Sequence, residues 1–222
     1  MPPTPLDSAT STHRLTAAVI VAHPDDETLW CGGYILTHPE FTWHIVTLCR
    51  AMDPDRAPKF RRVLQELGAE GEMGNLDDGP DQAPLPPDEV QATTSRLLAG
   101  KGYNLILTHG PNGEYTRHRR HEECCRSVVE LWRLGGINTQ NLWLFAYEDG
   151  GGAYLPRVRD DADRRDVLGS ETWLEKRRLI SDVYGFAPDS WEAQTTPGEE
   201  GFWCFDSAQA VTERTTLWGQ QL

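Results

Sequence analysis

The chain has 222 residues, 38% of them hydrophobic, together with 20 glycines. That is enough apolar material for a buried core, too much for a wholly disordered chain, and a length that suits one domain better than two. Lys and Arg number 21 against 34 Asp and Glu, a net charge of −13, which argues against nucleic acid or an anionic membrane as partner because phosphate recognition needs clustered positive charge.

Residues 1–14 are rich in Pro, Ser and Thr and hold no apolar stretch. They read as a flexible arm rather than a secretory signal. The longest apolar run, 17–22, is far short of the roughly 20 residues that span a bilayer. The five cysteines (Cys31, Cys49, Cys124, Cys125 and Cys204) are odd in number, include an adjacent pair and form no CxxC. This is neither a disulfide framework nor a cysteine zinc site, and it fits a reducing cytoplasm.

Residues 15–22, apolar and rich in β-branched side chains, predict a buried strand. The polar run His23-Pro24-Asp25-Asp26-Glu27 follows at once, and a helix is expected over 28–36, with Gly32 and Gly33 allowing close packing. Next come a strand over 42–48 and a helix over 56–67 whose Phe60, Val63, Leu64 and Leu67 share a face, stopped by Gly68. A short strand over 72–76 leads into a loop dense in Pro, Asp and Gly over 77–87, then a helix over 87–98. Strand 103–108, a Gly/Pro/Asn turn, helix 118–134 and strand 141–147 complete the series.

Strands alternating with helices imply right-handed βαβ units and a mostly parallel sheet covered on both faces. The expected fold is therefore α/β, a Rossmann-like three-layer sandwich. There is no internal repeat and no GxGxxG, so a nucleotide-binding domain is disfavoured. After Tyr147 the pattern changes: 148–169 is Gly-rich and charged, 171–184 is helical, and the remainder is irregular, with Trp191, Phe202, Trp203 and Phe205 docking on the body. We read 15–222 as one domain, with 148–222 as an extension that forms a pocket wall.

In such sheets ligands bind beyond the carboxyl ends of the strands. Two polar clusters sit there: His23 to Glu27 after the first strand, and Gly113-Glu114-Tyr115-Thr116-Arg117-His118-Arg119-Arg120-His121-Glu122 after strand 103–108. Histidine and carboxylate suit zinc, and three protein ligands with an open position make a catalytic centre. His23, one of Asp25 and Asp26, and one of His118 and His121 can supply them. The remaining carboxylate then serves as general base, and the remaining histidine polarises a carbonyl or protonates an amine. The plainest alternative is a helix N-cap at the Asp pair, which would leave the distant histidines unexplained. Glu27 reads as a brace for the loop, and His109 has a pocket role and a structural role in equal measure. Asp53, Asp55 and Asp149 are weaker rim candidates.

Ala22-His23-Pro24-Asp25-Asp26-Glu27 resembles the AHPDDE signature of the PIG-L/LmbE-like superfamily of zinc-dependent N-acetylglucosaminyl deacetylases. Gly113-Glu114-Tyr115 followed by His118-Arg119-Arg120-His121 resembles its second signature, Gly-x-Tyr with HxxH. The likeness covers residues from about 15 to 148. It implies the LmbE-like fold and assigns roles: His23, Asp26 and His121 as zinc ligands, Asp25 as general base, His118 as the residue that stabilises the oxyanion or protonates the amine. The implied reaction is attack of a zinc-bound water on an N-acetyl group of an amino sugar or sugar conjugate. Fe2+ shares such ligands.

The resemblance further implies substrate contacts at Arg50, Asp77, Asp78 and Tyr115. Two residues separate Tyr115 from His118, where the family often has one, and Arg119-Arg120 stands where Pro-Asp is common. With Arg117 these arginines either attract an anionic substrate or are surface charges. Other readings are an amidase acting on another amide, or a non-catalytic member that binds a metal or ligand. The expected partner is a small-molecule N-acetyl sugar or conjugate; homo-oligomerisation carries no signature in the sequence.

Overall fold

The computed structural model describes residues 14–217. All of the expected N-terminal arm except Arg14 lies outside them. In chain order the elements are β1 (Leu15–Val21), α1 (Asp26–Thr37), β2 (Phe41–Cys49), α2 (Arg56–Leu67), β3 (Glu70–Leu76), α3 (Pro87–Leu98), β4 (Gly102–Tyr103), β5 (Leu105–Thr108), α4 (Arg119–Arg133), β6 (Asn138–Thr139), β7 (Leu142–Phe145), β8 (Tyr147–Glu148), β9 (Arg157–Val158), β10 (Arg164–Val167), α5 (Ser170–Arg178), α6 (Trp191–Thr195), β11 (Glu199–Phe205) and α7 (Ala208–Leu217). A π-helical turn, Leu179–Val183, continues α5.

Seven strands form the central sheet in the order β10-β11-β7-β5-β1-β2-β3. The five from β7 to β3 run parallel, while β11 pairs antiparallel with β7 and with β10. β1 lies in the middle with five successive buried residues, Ala17 to Val21. Period-2 alternation divides them: Ala17, Val19 and Val21 feed a core with Trp30, Phe60 and Leu179, whereas Ala18 and Ile20 feed a second core with Val90, Leu97, Cys124, Val128 and Val211. Helices α1, α2 and α5 therefore cover one face of the sheet, and α3, α4 and α7 cover the other. This is the expected three-layer α/β architecture.

The C-terminal part differs from expectation. Residues 199–205, read as irregular, form the central-sheet strand β11, and 164–167 form its edge partner. Phe202, Trp203 and Phe205 are buried because they belong to a strand rather than to a docked loop. The helix expected over 171–184 is α5 plus the π turn, and strand 141–147 is interrupted after Phe145. The extension also completes α1. That helix breaks at Cys31 (φ −145°, ψ 15°), and the free amides of Gly33 and Tyr34 beyond the break donate to the two carboxylate oxygens of Glu200, both at 2.7 Å. Glu200 is itself paired with the fully buried Lys176 at 2.7 Å.

Candidate metal centre and active site

β1 and β5 are neighbours and parallel, so the loops leaving their carboxyl ends meet. The turn after β1 is tight. Asp25 has φ 115°, a conformation that costs a non-glycine residue about 1–3 kcal/mol. Its surroundings hold it there: the Asp25 N–H donates to Glu27 Oε2 at 3.1 Å, and its carbonyl accepts from Thr28 and Leu29 amides at 3.0 and 2.8 Å. Glu27, fully buried, also accepts from the Thr28 and Tyr184 hydroxyls. It is the brace the sequence suggested. Asp25 makes no side-chain cap to α1, so the N-cap alternative fails. Its carboxylate points instead to Arg56, 3.0 Å from Oδ2.

Three donor atoms from the two clusters converge. His23 Nδ1 lies 3.1 Å from Asp26 Oδ2, His121 Nε2 lies 3.4 Å from that oxygen, and the two ring nitrogens are 3.3 Å apart. Ligands at zinc distances of 2.0–2.1 Å on tetrahedral corners stand about 3.3 Å from one another, so the residues fit such an ion. Each histidine is held from behind by a carboxylate, the arrangement that fixes ring orientation and tautomer in metal sites. Asp78 Oδ1 is 3.2 Å from His23 Nε2, and Glu114 Oε2 is 2.6 Å from His121 Nδ1. Asp26 Oδ1 accepts from the Trp30 indole at 3.1 Å, which fixes the third donor.

Glu114 is fully buried, and its second oxygen accepts the Gly110 amide at 2.8 Å. Gly110 allows this turn because a Cβ there would lie 2.5 Å from the Phe145 carbonyl oxygen. Glu114 Oε2 also faces His109 Nδ1 at 2.9 Å, and His109 Nε2 accepts the Ala22 amide at 2.9 Å. Burial lowers the His109 pKa, but the charges of Glu114 and Asp26 outweigh it and raise the group to about 9. The Ala22 N–H nonetheless needs a lone pair on Nε2 and cannot turn elsewhere, so we assign the neutral tautomer with its proton on Nδ1. Both nitrogens of His109 are thus engaged. Its pocket role is to stack on His121, centroids 3.8 Å apart.

His118 is the N-cap residue of α4, in extended conformation. Its ring lies 4.8 Å from that of His23 and 4.4 Å from that of His121, and its buried Nδ1 has no partner. Two overlapping groups meet the spacing of metal ligands, His23–His118–His121 and Asp26–His109–His121. Burial, reinforced by His121 and His23, lowers His118 to about 3. Asp25 and Asp26 diverge. Burial and the charge of Asp26 raise Asp25 well above the usual carboxylate range, against the pull of Arg56. Asp26 falls well below it, because the charges of His121 and His109 overcome its burial.

A cavity of about 220 Å3 opens over these groups, lined by His23, Asp25, Asp26, Arg50, Arg56, Asp78, Tyr115, His118 and, from α6, Trp191 and Glu192. Of the expected substrate contacts, Arg50, Asp78 and Tyr115 line it and Asp77 does not. The Asp77 side chain is exposed, and its carbonyl accepts from Arg120 at 2.6 Å. Asp78 is already occupied by His23, Gln82 and Arg50. Tyr115 packs its ring 4.4 Å from Trp191. Among the rim candidates, Asp53 accepts the amides of Asp55 and Arg56 at the start of α2, and Asp149 accepts the Thr116 amide. The arginines divide: Arg120 is buried against Glu123 and two carbonyls, Arg117 pairs with Glu122, and Arg119 is exposed. Arg56, Glu114 and Glu192 carried no assigned role at the sequence level, and Trp191 only that of docking on the body.

No protein-family model matches the chain. An uncharacterised protein of Acanthamoeba polyphaga mimivirus is 24% identical over 166 residues, 65% of this chain and 70% of that protein. Among solved structures, N,N'-diacetylchitobiose deacetylase from Pyrococcus horikoshii, complexed with an inhibitor, superposes with a TM-score of 0.65 at 15% identity, over 86% of this chain and 84% of that one. The zinc-inhibited form of teicoplanin deacetylase gives 0.59 at 13% identity, over 86% and 98%. The fold is that of the LmbE/PIG-L-type deacetylases. No helix among the described residues is long and apolar enough to cross a membrane.

Proposed function

We propose that this chain is a zinc-dependent hydrolase that removes the acetyl group from an N-acetylated amino sugar or sugar conjugate. The observation that carries the reading is the triangle of His23 Nδ1, Asp26 Oδ2 and His121 Nε2, with Asp25 and His118 on the walls of the same cavity. His23, Asp26 and His121 would hold the ion. When bound, the ion supplies Lewis acidity that polarises an acyl oxygen and makes water more acidic.

The chain's own groups do the rest. Asp25 takes a proton from the attacking water, and its raised basicity suits that task. Its strained backbone and its contact with Arg56 fix where the carboxylate points. His118, neutral near pH 7, offers an imidazole N–H to the oxygen on which negative charge develops. The proton that Asp25 has taken passes to the departing nitrogen, so the amine leaves as R–NH2 and the acyl group as acetic acid, whose proton then goes to the amine or to solvent. The cavity is smaller than the roughly 300–1,000 Å3 of sites that enclose a drug-sized ligand. It therefore holds the acyl-bearing unit alone, with the rest of a conjugate outside. All five cysteines are free, which supports a reducing, cytoplasmic setting.

The test is release of acetate and primary amine from a panel of N-acetyl sugars, using protein brought to one zinc per chain, since a structural neighbour is described in a zinc-inhibited form. Asp25→Ala is the blank. Release that disappears in the variant supports the reading. A chain that holds one metal and hydrolyses nothing in the panel overturns it, in favour of another amide or a binding role.

A further inference from the structure

The catalytic groups leave one wall of the cavity without a task. α6 begins there, with its N-terminal turn fixed by the Ala193 amide donating to Ser190 Oγ at 3.2 Å. Its first two residues, Trp191 and Glu192, line the same cavity as His23 and Asp26. Trp191 is 37% exposed, unusual for a large aromatic side chain packed among others: its ring is 4.4 Å from that of Tyr115 and 6.4 Å from that of Trp30. Its neighbours hold the indole in place while part of its surface stays open. The Glu192 carboxylate beside it accepts no hydrogen bond from the described residues. The other cavity carboxylates differ: Asp25 pairs with Arg56, Asp78 with Arg50 and His23, and Asp26 with Trp30 and the histidines.

A rigid, partly open indole next to an unpaired carboxylate matches the two surfaces of a pyranose. The ring's C–H face is apolar and packs on an aromatic plane, and its equatorial hydroxyls are donors that a carboxylate accepts with charge-assisted strength. A negatively charged ligand would meet Glu192 unfavourably at the same wall. We propose that Trp191 and Glu192 form a carbohydrate-recognition wall that stacks a neutral pyranose and accepts one of its hydroxyls, holding the ring while its acetamide reaches the metal centre. This rests on the hydrolase reading for the acetamide, but binding of the ring does not require turnover.

The test compares N-acetylglucosamine with N-acetylethanolamine, which carries the same acetamide without a ring. Calorimetric titration of the purified full chain should show tighter binding of N-acetylglucosamine. Trp191→Ala should weaken that binding about tenfold, Trp191→Phe should retain most of it, and Glu192→Gln should weaken it about tenfold. In turnover, the preference for N-acetylglucosamine over N-acetylethanolamine should fall in the same order, through KM. If wild type binds both ligands equally, or Trp191→Ala leaves N-acetylglucosamine binding within twofold, the wall is not a sugar site. Ring-dependent binding by protein that holds one zinc per chain and hydrolyses nothing in the N-acetyl sugar panel supports the wall and overturns the hydrolase reading. Hydrolysis without ring dependence does the reverse.

Discussion

Glu114→Gln is the sharpest probe of the site, because the carboxylate does two things that an amide cannot do together. One oxygen accepts from His121 Nδ1 and His109 Nδ1 at 2.6 and 2.9 Å, and the other accepts the Gly110 amide at 2.8 Å. Glutamine has one acceptor oxygen. Turned to the histidines, its NH2 group faces the Gly110 N–H, leaving one buried donor unpaired at about 1–3 kcal/mol. Turned the other way it strands two imidazole donors, at about twice that, so the first orientation prevails. The expected fall in melting temperature is about 2–12 °C, at roughly 2–4 °C per kcal/mol for a domain of this size. The more telling consequence is at the metal. His121 loses the negative charge that raises its ligand basicity, so zinc affinity should drop about 10–100-fold. Competition with a chromophoric chelator measures this directly. Zinc affinity within twofold of wild type, alongside a lowered melting temperature, would show that Glu114 is only a scaffold and that His121 does not hold the ion.

Asp25→Asn, chosen because asparagine tolerates positive φ best among side-chain-bearing residues, should keep its zinc and lose about 10²–10⁴ in kcat; metal content and rate measured on one preparation decide it, and a rate within tenfold of wild type removes Asp25 from the role of base. His118→Gln should lower kcat about 10²–10³-fold with the metal retained. Loss of zinc would instead make His118 a ligand, as its place in the His23–His118–His121 group allows. Lys176→Met strands the buried Glu200 carboxylate, and breaking such a pair costs about 3–5 kcal/mol. Glu200 keeps its two amide donors, which favours the lower end, a fall in melting temperature of about 6–12 °C. A shift under 2 °C would mean that the pair contributes little to holding α1.

What could be read in the sequence was what repeats along it. β1, β2 and β7 announce themselves as apolar runs, and α2 as a stripe ending at Gly68, because each buries a continuous surface. β10 could not be found that way. Its Arg164-Arg165-Asp166-Val167 lies at the sheet edge and has only one apolar residue to alternate. β11 begins Glu199-Glu200-Gly201, and its second charge, Glu200, turns inward to serve a helix break 167 residues earlier, a partner that no local pattern predicts. The two clusters proposed to carry the chemistry were visible because sheet topology brings parallel strand ends together. Their supports were not. Glu114 was quoted within a motif without a role, since only the folded turn from His109 to His118 brings its oxygens between two histidines. Asp78 was expected at a substrate, and the structure uses its oxygens on His23, Gln82 and Arg50. Trp191 and Glu192 come to the cavity from 168 and 169 residues beyond His23, by a route set by the C-terminal strands rather than by any spacing.

The break in α1 at Cys31 has a consequence in time. The helix that carries Asp26 is completed by a carboxylate 167 positions later in the chain. On a ribosome adding roughly 5–20 residues per second, Gly33 therefore waits about 8–33 s for Glu200 to be made. For the last 79 of those residues, once His121 has been made, the nascent chain carries all three proposed donors for a divalent ion but no finished support for the helix beside them. If His23, Asp26 and His121 hold an ion as proposed, that ion can meet them before β11 has docked, and the order of metal capture and final docking becomes a kinetic choice during synthesis.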